Sequence, residues 1–428
     1  MPDPLAATPE LSALRRAAHD ELLTNILPFW ESRAFDGSGR LVGSVADDGT
    51  ASDDGPRSAV LVARIVWTFG AAAAADVGGQ RERWLVTGRK ALAWLTGPLW
   101  DESHGGVYWA VDGDGRVESD RKQVYAQAFA IYALAQWHLA TGEEDALDRA
   151  IAVFELLETH ARDAERGGYI EALDRDWGAL ADMALSAKDL NVPKSMNTNL
   201  HVMEALTTLL RAVRASRSAA PAVRAHVGEA LAAVTFATQE FIVFDEPWMH
   251  CALFFDSDWN RVGDTISYGH DIEASWLIWD AHEALADAGL ASDQDRAVAE
   301  ATALGLADAV LEHGVDPDGA VLYEGGPEGV RAPQKHWWPQ AEGVVGWLNA
   351  YQVDPEPEYL AAALGTWAFI ESKVIDREHG EWFAELERDG TPRVGPPLGT
   401  AEGEVKIGPW KCPYHNGRAC LEVMRRVF

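Results

Sequence analysis

Twelve stretches of this chain carry apolar residues at the i, i+3, i+4 spacing of an amphipathic helix, and a longer glycine-rich connection always follows an odd-numbered stretch. They run near 11–32, 57–76, 82–101, 119–142, 144–161, 197–213, 222–242, 269–289, 291–314, 337–352, 356–376 and 413–428. The connections have hairpin chemistry, as in His104-Gly-Gly-Val-Tyr-Trp-Ala-Val-Asp-Gly-Asp-Gly115. Gly167–Asp176, Asp318–Gly325 and Gly380–Gly390 echo it, with weaker versions at Ser38–Thr50 and Trp248–Val262. Six pairs with the long loop in one phase repeat a single supersecondary unit and put every long loop on one side. At about 70 residues per pair the unit is too long for the common open helical repeats. The pattern therefore predicts an all-α fold, an (α/α)6 barrel. No linker or charge block interrupts it, so one catalytic domain over residues 1–428 is expected.

Composition excludes several classes of function. The formal net charge of −31 argues against nucleic acid or an anionic membrane as partner, because phosphate binding needs clustered basic charge. No apolar run approaches the ~20 residues that cross a bilayer. The first ten residues lack a basic segment followed by an apolar one, and three cysteines fit no C-x-x-C spacing, so a cytoplasmic protein is expected. Eighteen tryptophans are conspicuous; most are expected in the core, and a few are available to stack on a sugar ring.

Three distant segments each deliver one histidine among aromatic and amide residues: Asn197-Thr-Asn-Leu-His201, Ser267-Tyr-Gly-His270-Asp-Ile-Glu273 and Gly408-Pro-Trp-Lys-Cys-Pro-Tyr-His415-Asn416. Histidine can act as acid or base near neutrality without further tuning. Arg64, Tyr125, Asn197, His201, His270, Glu273, Trp337, Trp338, Trp410 and His415 all fall at or near the starts of even-numbered helices. In a barrel whose even helices form the inner ring, these residues converge on one mouth. Helix dipoles there favour a developing negative charge.

These strings, with Arg64-Ile-Val-Trp67-Thr-Phe69, Lys122-Gln-Val-Tyr125-Ala-Gln127 and Lys335-His-Trp-Trp-Pro-Gln-Ala-Glu342, resemble the acylglucosamine 2-epimerase superfamily, nearest to its cellobiose 2-epimerase branch. The resemblance implies an (α/α)6 barrel that works on a small reducing sugar without metal or organic cofactor. It implies ring opening, removal of the C2 proton to give a cis-enediol, and reprotonation on the other face. By that resemblance His270 and His415 are the two acid/bases, one neutral and one protonated, in an order left open. Arg64 is expected at the oxygen that gathers negative charge, and His201 at the O1 or O5 region. Glu273, one turn after His270, is expected to orient that imidazole. Tyr125, Asn197, Trp410 and one of Trp337 or Trp338 are expected to line and stack on the substrate.

Other readings remain beside this one. Glu204 and Glu342 either bind substrate or pair with a basic neighbour, and His138, His160, His226, His282 and His313 read as ordinary surface or core residues. The two His-x-x-Glu pairs, His201/Glu204 and His270/Glu273, would have to face each other to hold a metal, and their order is reversed from that of dimetal bundles. No metal is expected. A second sugar unit would need another stacking surface, for which Trp248 or the Trp382-Phe383 loop is available. Monosaccharide 2-epimerisation, aldose–ketose isomerisation, glycoside hydrolysis and plain sugar binding are the competing functions. The chain is expected to be a monomer or homodimer.

Overall fold

The structure is a computed structural model that describes residues 5, 6, 8–393 and 405–428. Its helices are α1 (Pro9–Glu21), α2 (Leu27–Arg33), α3 (Ala59–Ala74), α4 (Arg81–Leu95), α5 (Val124–Thr141), α6 (Glu144–Leu156), α7 (Met196–Ala215), α8 (Pro221–Ala237), α9 (Tyr268–Asp287), α10 (Asp293–His313), α11 (Trp337–Val353), α12 (Pro357–Phe369) and α13 (Tyr414–Arg426). A π turn over Leu22–Ile26 joins α1 to α2. The rod 9–33 therefore fills the first of the twelve predicted places.

Hydrophobicity sorts the helices into two rings. In α3 every residue from Ala59 to Gly70 is buried, and α5 is buried nearly all round, as helices in the middle of a protein must be. By contrast α4 and α6 bury one stripe and leave the rest to solvent. The inner ring runs α3, α5, α7, α9, α11, α13, each packed on the next, and α13 returns to α3. Each inner helix also packs on the outer helix that follows it, with α13 packed on α1. This is the predicted (α/α)6 barrel, closed on itself. A Cβ on Gly346 of α11 would lie 2.8 Å from the Ile272 carbonyl oxygen of α9, so glycine is what lets those two backbones approach.

A second device closes the ring, and the helical periodicity gave no hint of it. The dipeptide just before each inner helix, or in the last case a few residues earlier, pairs antiparallel with the hairpin of another long loop. The pairs are 57–58 with 110–111, 122–123 with 172–173, 194–195 with 254–255, 266–267 with 324–325, 335–336 with 385–386 and 405–407 with 45–46. The last pair carries the seam between the ends of the chain. These pairings also correct two predicted boundaries: residues 57–58, 117–119 and 122–123 are drawn into strands, so the helices expected over 57–76 and 119–142 begin at Ala59 and Val124.

Four of the six dipeptides place a lysine or arginine in a buried ion pair with a well-defined distance or partner. Lys122 meets Asp101 at 3.0 Å, Lys194 meets Asp163 at 2.8 Å, Lys335 meets Asp316 at 3.0 Å and Lys406 meets Asp376 at 2.7 Å. Arg57 pairs with the more exposed Asp53 in the same way. The aspartates also fold the glycine turns. Asp376 accepts from the backbone N–H of Glu378 and His379, and Asp101 from those of Ser103 and His104. One carboxylate thus fixes a turn and a strand at once. Among the described residues no helix is long and apolar enough to cross a membrane, and all three cysteines are free and buried.

Candidate active site

All six inner helices start at the long-loop end of the barrel, so their first turns surround one mouth. That brings the predicted residues together. His201 lies edge-on to Tyr125 with ring centroids 5.0 Å apart, and Tyr125 lies 6.1 Å from Trp410. Across the mouth the Trp338 indole lies 4.6 Å from His270 and 5.7 Å from His415. Trp337 is more deeply buried, 6.3 Å from His415 with the Lys411 ammonium over its face. Trp338 is therefore the indole of that pair that lies near both imidazoles. The side-chain oxygen of Asn197 is buried without a partner among the described residues.

Each histidine has a different partner on Nδ1. His201 meets Glu204 Oε2 at 2.8 Å, His415 meets Glu342 Oε1 at 2.7 Å and His270 meets the Ser267 hydroxyl at 2.8 Å. A carboxylate only accepts, so the Nδ1 of His201 and of His415 carries the hydrogen and Nε2 carries the lone pair. A hydroxyl can give or accept, so His270 is not held to one tautomer.

Burial and crowding keep these rings neutral. Loss of solvation holds the His270 pKa well below the usual imidazole value, and the neighbouring His201, Lys188 and His415 push the same way. His415 is held well below it too, by burial first and then by Arg64, Arg418 and His201. His201 is lowered mainly by burial, with Glu204 opposing.

Glu273 does not orient His270 as expected. Its Oε1 accepts from Arg418 Nη2 at 2.6 Å, and its nearest imidazole is His415 at 3.9 Å. Spacing of one helical turn put Glu273 beside His270 in sequence, but a guanidinium offers a buried carboxylate far more than a neutral ring does. Arg418 also donates from Nη2 to Glu342 Oε1 at 2.7 Å and from Nη1 to Glu204 and the Tyr414 hydroxyl. The Tyr414 hydroxyl donates to Glu204, and the Trp276 indole N–H donates to Glu342 Oε2 at 3.0 Å. Glu204 and Glu342 are thus claimed by histidines and by Arg418, which is the bland reading of the two.

The charges in this cluster are uneven. Burial, reinforced by Glu342 and opposed by Arg418, pushes the Glu273 carboxyl up to about 8, so it is mostly protonated at neutral pH. Burial also acts to raise Glu204, but Arg418, His201 and Tyr414 outweigh it and hold that carboxyl below its usual value. Arg64 donates to the Tyr125 hydroxyl at 2.8 Å and lies over Phe129 and Tyr414, a permanent cation beside these rings.

Glu273, Glu342 and His415 place ligand atoms within 4.8 Å of one another. The Arg418 guanidinium already lies against both carboxylates there, and a metal would have to displace it. The two His-x-x-Glu pairs do not form a four-ligand site, since Glu204 binds its own histidine and Glu273 turns to Arg418. Exhaustive chelation is expected to leave activity intact; loss of activity on chelation, restored by a divalent cation, would show the opposite.

Two further expectations are corrected. Trp382 is fully buried, and its indole N–H donates to Glu21 Oε1 at 2.9 Å, so it offers no surface for a sugar. Trp248 is stacked on His313 with centroids 4.1 Å apart, so that face is taken. Phe383, the other residue of that loop, has the Lys406 ammonium 4.2 Å from its ring centre.

The sequence profile of the N-acylglucosamine 2-epimerase (GlcNAc 2-epimerase) family matches residues 41–401. The cellobiose 2-epimerase of Bacteroides fragilis is 36% identical over 413 residues, covering 96% of this chain and 98% of its own. A D-mannose isomerase of Thermobifida fusca is 28% identical over 330 residues, covering 73% of each chain. Among solved structures, the cellobiose 2-epimerase of Spirochaeta thermophila superposes with a TM-score of 0.83 at 36% identity, over 98% of this chain and 97% of its own. Fold, site and relatives together define a carbohydrate epimerase/isomerase of the sugar 2-epimerase kind. The chain belongs to the N-acylglucosamine 2-epimerase family.

Proposed function

We propose that this enzyme inverts C2 of the reducing glucose or mannose unit of a β-1,4-linked disaccharide of the cellobiose or lactose type, with His270 and His415 as its two acid/bases. The disaccharide is supported by the near full-length likeness to cellobiose 2-epimerases. The observation that carries the chemistry is the pair of imidazoles gathered at one indole, 4.6 and 5.7 Å from Trp338. A C2 inversion needs a proton acceptor on one face of the carbon and a donor on the other.

The partners on Nδ1 support one choice of opening roles. His415, with the Glu342 carboxylate behind it, presents a bare Nε2 and takes the C2 proton of the ring-opened sugar. Glu342 stabilises the imidazolium that forms. Arg64 holds the charge that gathers on the enediolate oxygen. The enediolate in turn raises the proton affinity of His270, which takes a proton from solvent and delivers it to C2 from the other side. His415 then returns its proton to solvent, and the balance is restored. Both rings are neutral at rest in this scheme, in place of the one neutral and one protonated ring expected from sequence.

Hydrolysis fits less well, because it needs two carboxylates free to flank a glycosidic bond. Glu204, Glu273 and Glu342 are buried and bound to Arg418. Isomerisation to a ketose shares the enediol, and the D-mannose isomerase relative keeps it as the second reading.

Incubation with cellobiose, and separately with glucose or mannose, in D2O followed by NMR tests the assignment. Deuterium at C2 with a glucosyl-mannose product is expected. Turnover of mannose or glucose alone would move the substrate to a monosaccharide, fructose would indicate isomerisation, and free glucose from cellobiose would indicate hydrolysis.

A further inference from the structure

His201 and His415 belong to different inner helices, yet the carboxylates behind them meet at one guanidinium. We propose that Arg418 is a positioning residue that holds Glu204 and Glu342 as acceptors and so keeps both imidazoles in the tautomer with a bare Nε2. This rests on the reading of His415 as the resting base. Arg418 is 1% exposed and lies on α13 one turn below His415. It faces Glu204 from α7, Glu273 from α9, Glu342 from α11 and Tyr414 from its own helix; Arg64 of α3 shares the Tyr414 ring with it, and Tyr132, Arg211, Asp280, Glu422 and Arg425 are the other charged and titratable groups around the cavity beneath.

The argument turns on what an unneutralised carboxylate would do in this position. Without the guanidinium, Glu204 and Glu342 would be buried anions in contact with Tyr414, Trp276 and two imidazoles, and the cheapest relief is to take up a proton. A protonated Glu342 can donate to Nδ1 of His415. The ring hydrogen then moves to Nε2, and the base is lost without any change in the substrate pocket. With Arg418 present and Glu273 mostly protonated, one cation faces two carboxylates. The cluster carries one negative charge at rest and becomes neutral when His415 receives the C2 proton. That residual negative charge offsets part of the cost of charging His415 in the reaction, while burial, Arg64 and Arg418 keep the ring neutral at rest.

Below Arg418 the barrel axis opens into a cavity of about 170 Å³ lined by Trp67, Tyr132, Thr208, Trp276 and Asp280. Arg418 Nε and the Trp67 indole N–H are buried without partners among the described residues. The guanidinium is flanked by the Trp276 and Tyr414 rings, 4.7 and 4.3 Å from its carbon, and its two Nη groups donate to the carboxylates behind the histidines.

Arg418→Gln removes the charge and Arg418→Lys keeps it without the fork of donors. The Gln variant is expected to lose about 50-fold in kcat with KM within about threefold, since no substrate contact changes. The acid limb of kcat/KM should move up by about one unit, because a nearby cation that depressed the His415 pKa is gone. The Lys variant should keep the limb in place and lose about tenfold in kcat. Long-range 15N spectra of His415, which need no turnover, should show hydrogen on Nδ1 in the native enzyme and a mixture in the Gln variant. Native tautomers and an unmoved acid limb in a folded Gln variant would overturn the proposal. If that variant does not fold, full kcat in the Lys variant would overturn it. A tautomer change in an enzyme that never exchanges C2 would instead retire the epimerase reading and leave the role of Arg418 standing.

Discussion

His415→Ala and His270→Ala should each lower kcat for epimerisation by about 10³-fold, with KM little changed, since an acid/base at the reacting carbon contributes about 10²–10⁴. The more informative result lies in what survives. Epimerisation needs both faces of C2, whereas exchange of the C2 hydrogen with solvent needs only one. In His270→Ala the epimer whose C2–H points at His415 should still exchange in D2O while producing no epimer. In His415→Ala the opposite epimer should exchange. Mirror-image exchange of this kind identifies each histidine with one face and cannot come from a variant that has merely lost its fold. Epimerisation at the native rate in either variant would sink the two-base scheme. Loss of exchange from both epimers in both variants would show that the histidines act as a unit and not as face-specific bases.

The fold was legible because its repeat is written in local signals. Apolar spacing, and glycine loops after every second helix, are properties of neighbouring residues, so twelve helices and their phase could be read directly. The six strand pairings could not, because each joins residues that are distant in sequence, such as Val45 with Ile407. The same division runs through the site. His201, His270 and His415 stood out in strings rich in Trp, Tyr and Asn, and the barrel brought them to one mouth. Their partners did not stand out. Glu273 was assigned to His270 because it lies one turn away, but its charge partner is 145 positions distant. Arg418 carries no local signal, because its partners Glu204, Glu273 and Glu342 lie on three other helices. The available signal was that α13 belongs to the inner ring, where a basic residue has to be paired. Applied to every inner helix, that rule would also have found Lys122, Lys194, Lys335 and Lys406 at the helix approaches.

Lys406→Met should destabilise the protein by about 3–5 kcal/mol, the usual cost of leaving one member of a buried ion pair without its partner. Lys406 is 0% and Asp376 4% exposed, so water cannot replace the lost ammonium. The position matters as much as the burial. Residues 405–407 pair with 45–46 to close the ring, and the chain runs from there directly into Trp410 and His415. A loosened seam therefore reaches the catalytic mouth, and activity should fall at temperatures below the global melting transition. The double variant Lys406→Met/Asp376→Asn separates charge from turn geometry. Asparagine keeps an oxygen for the Glu378 and His379 N–H groups but removes the uncompensated anion, so it should recover more than half of the loss. Arg116→Ala is the control, since that side chain is 74% exposed and solvent screens its pairing with Asp114. Urea titration of the three variants decides the matter. If Lys406→Met costs no more than Arg116→Ala, the buried pairs are passengers and the hydrophobic inner ring alone closes the barrel.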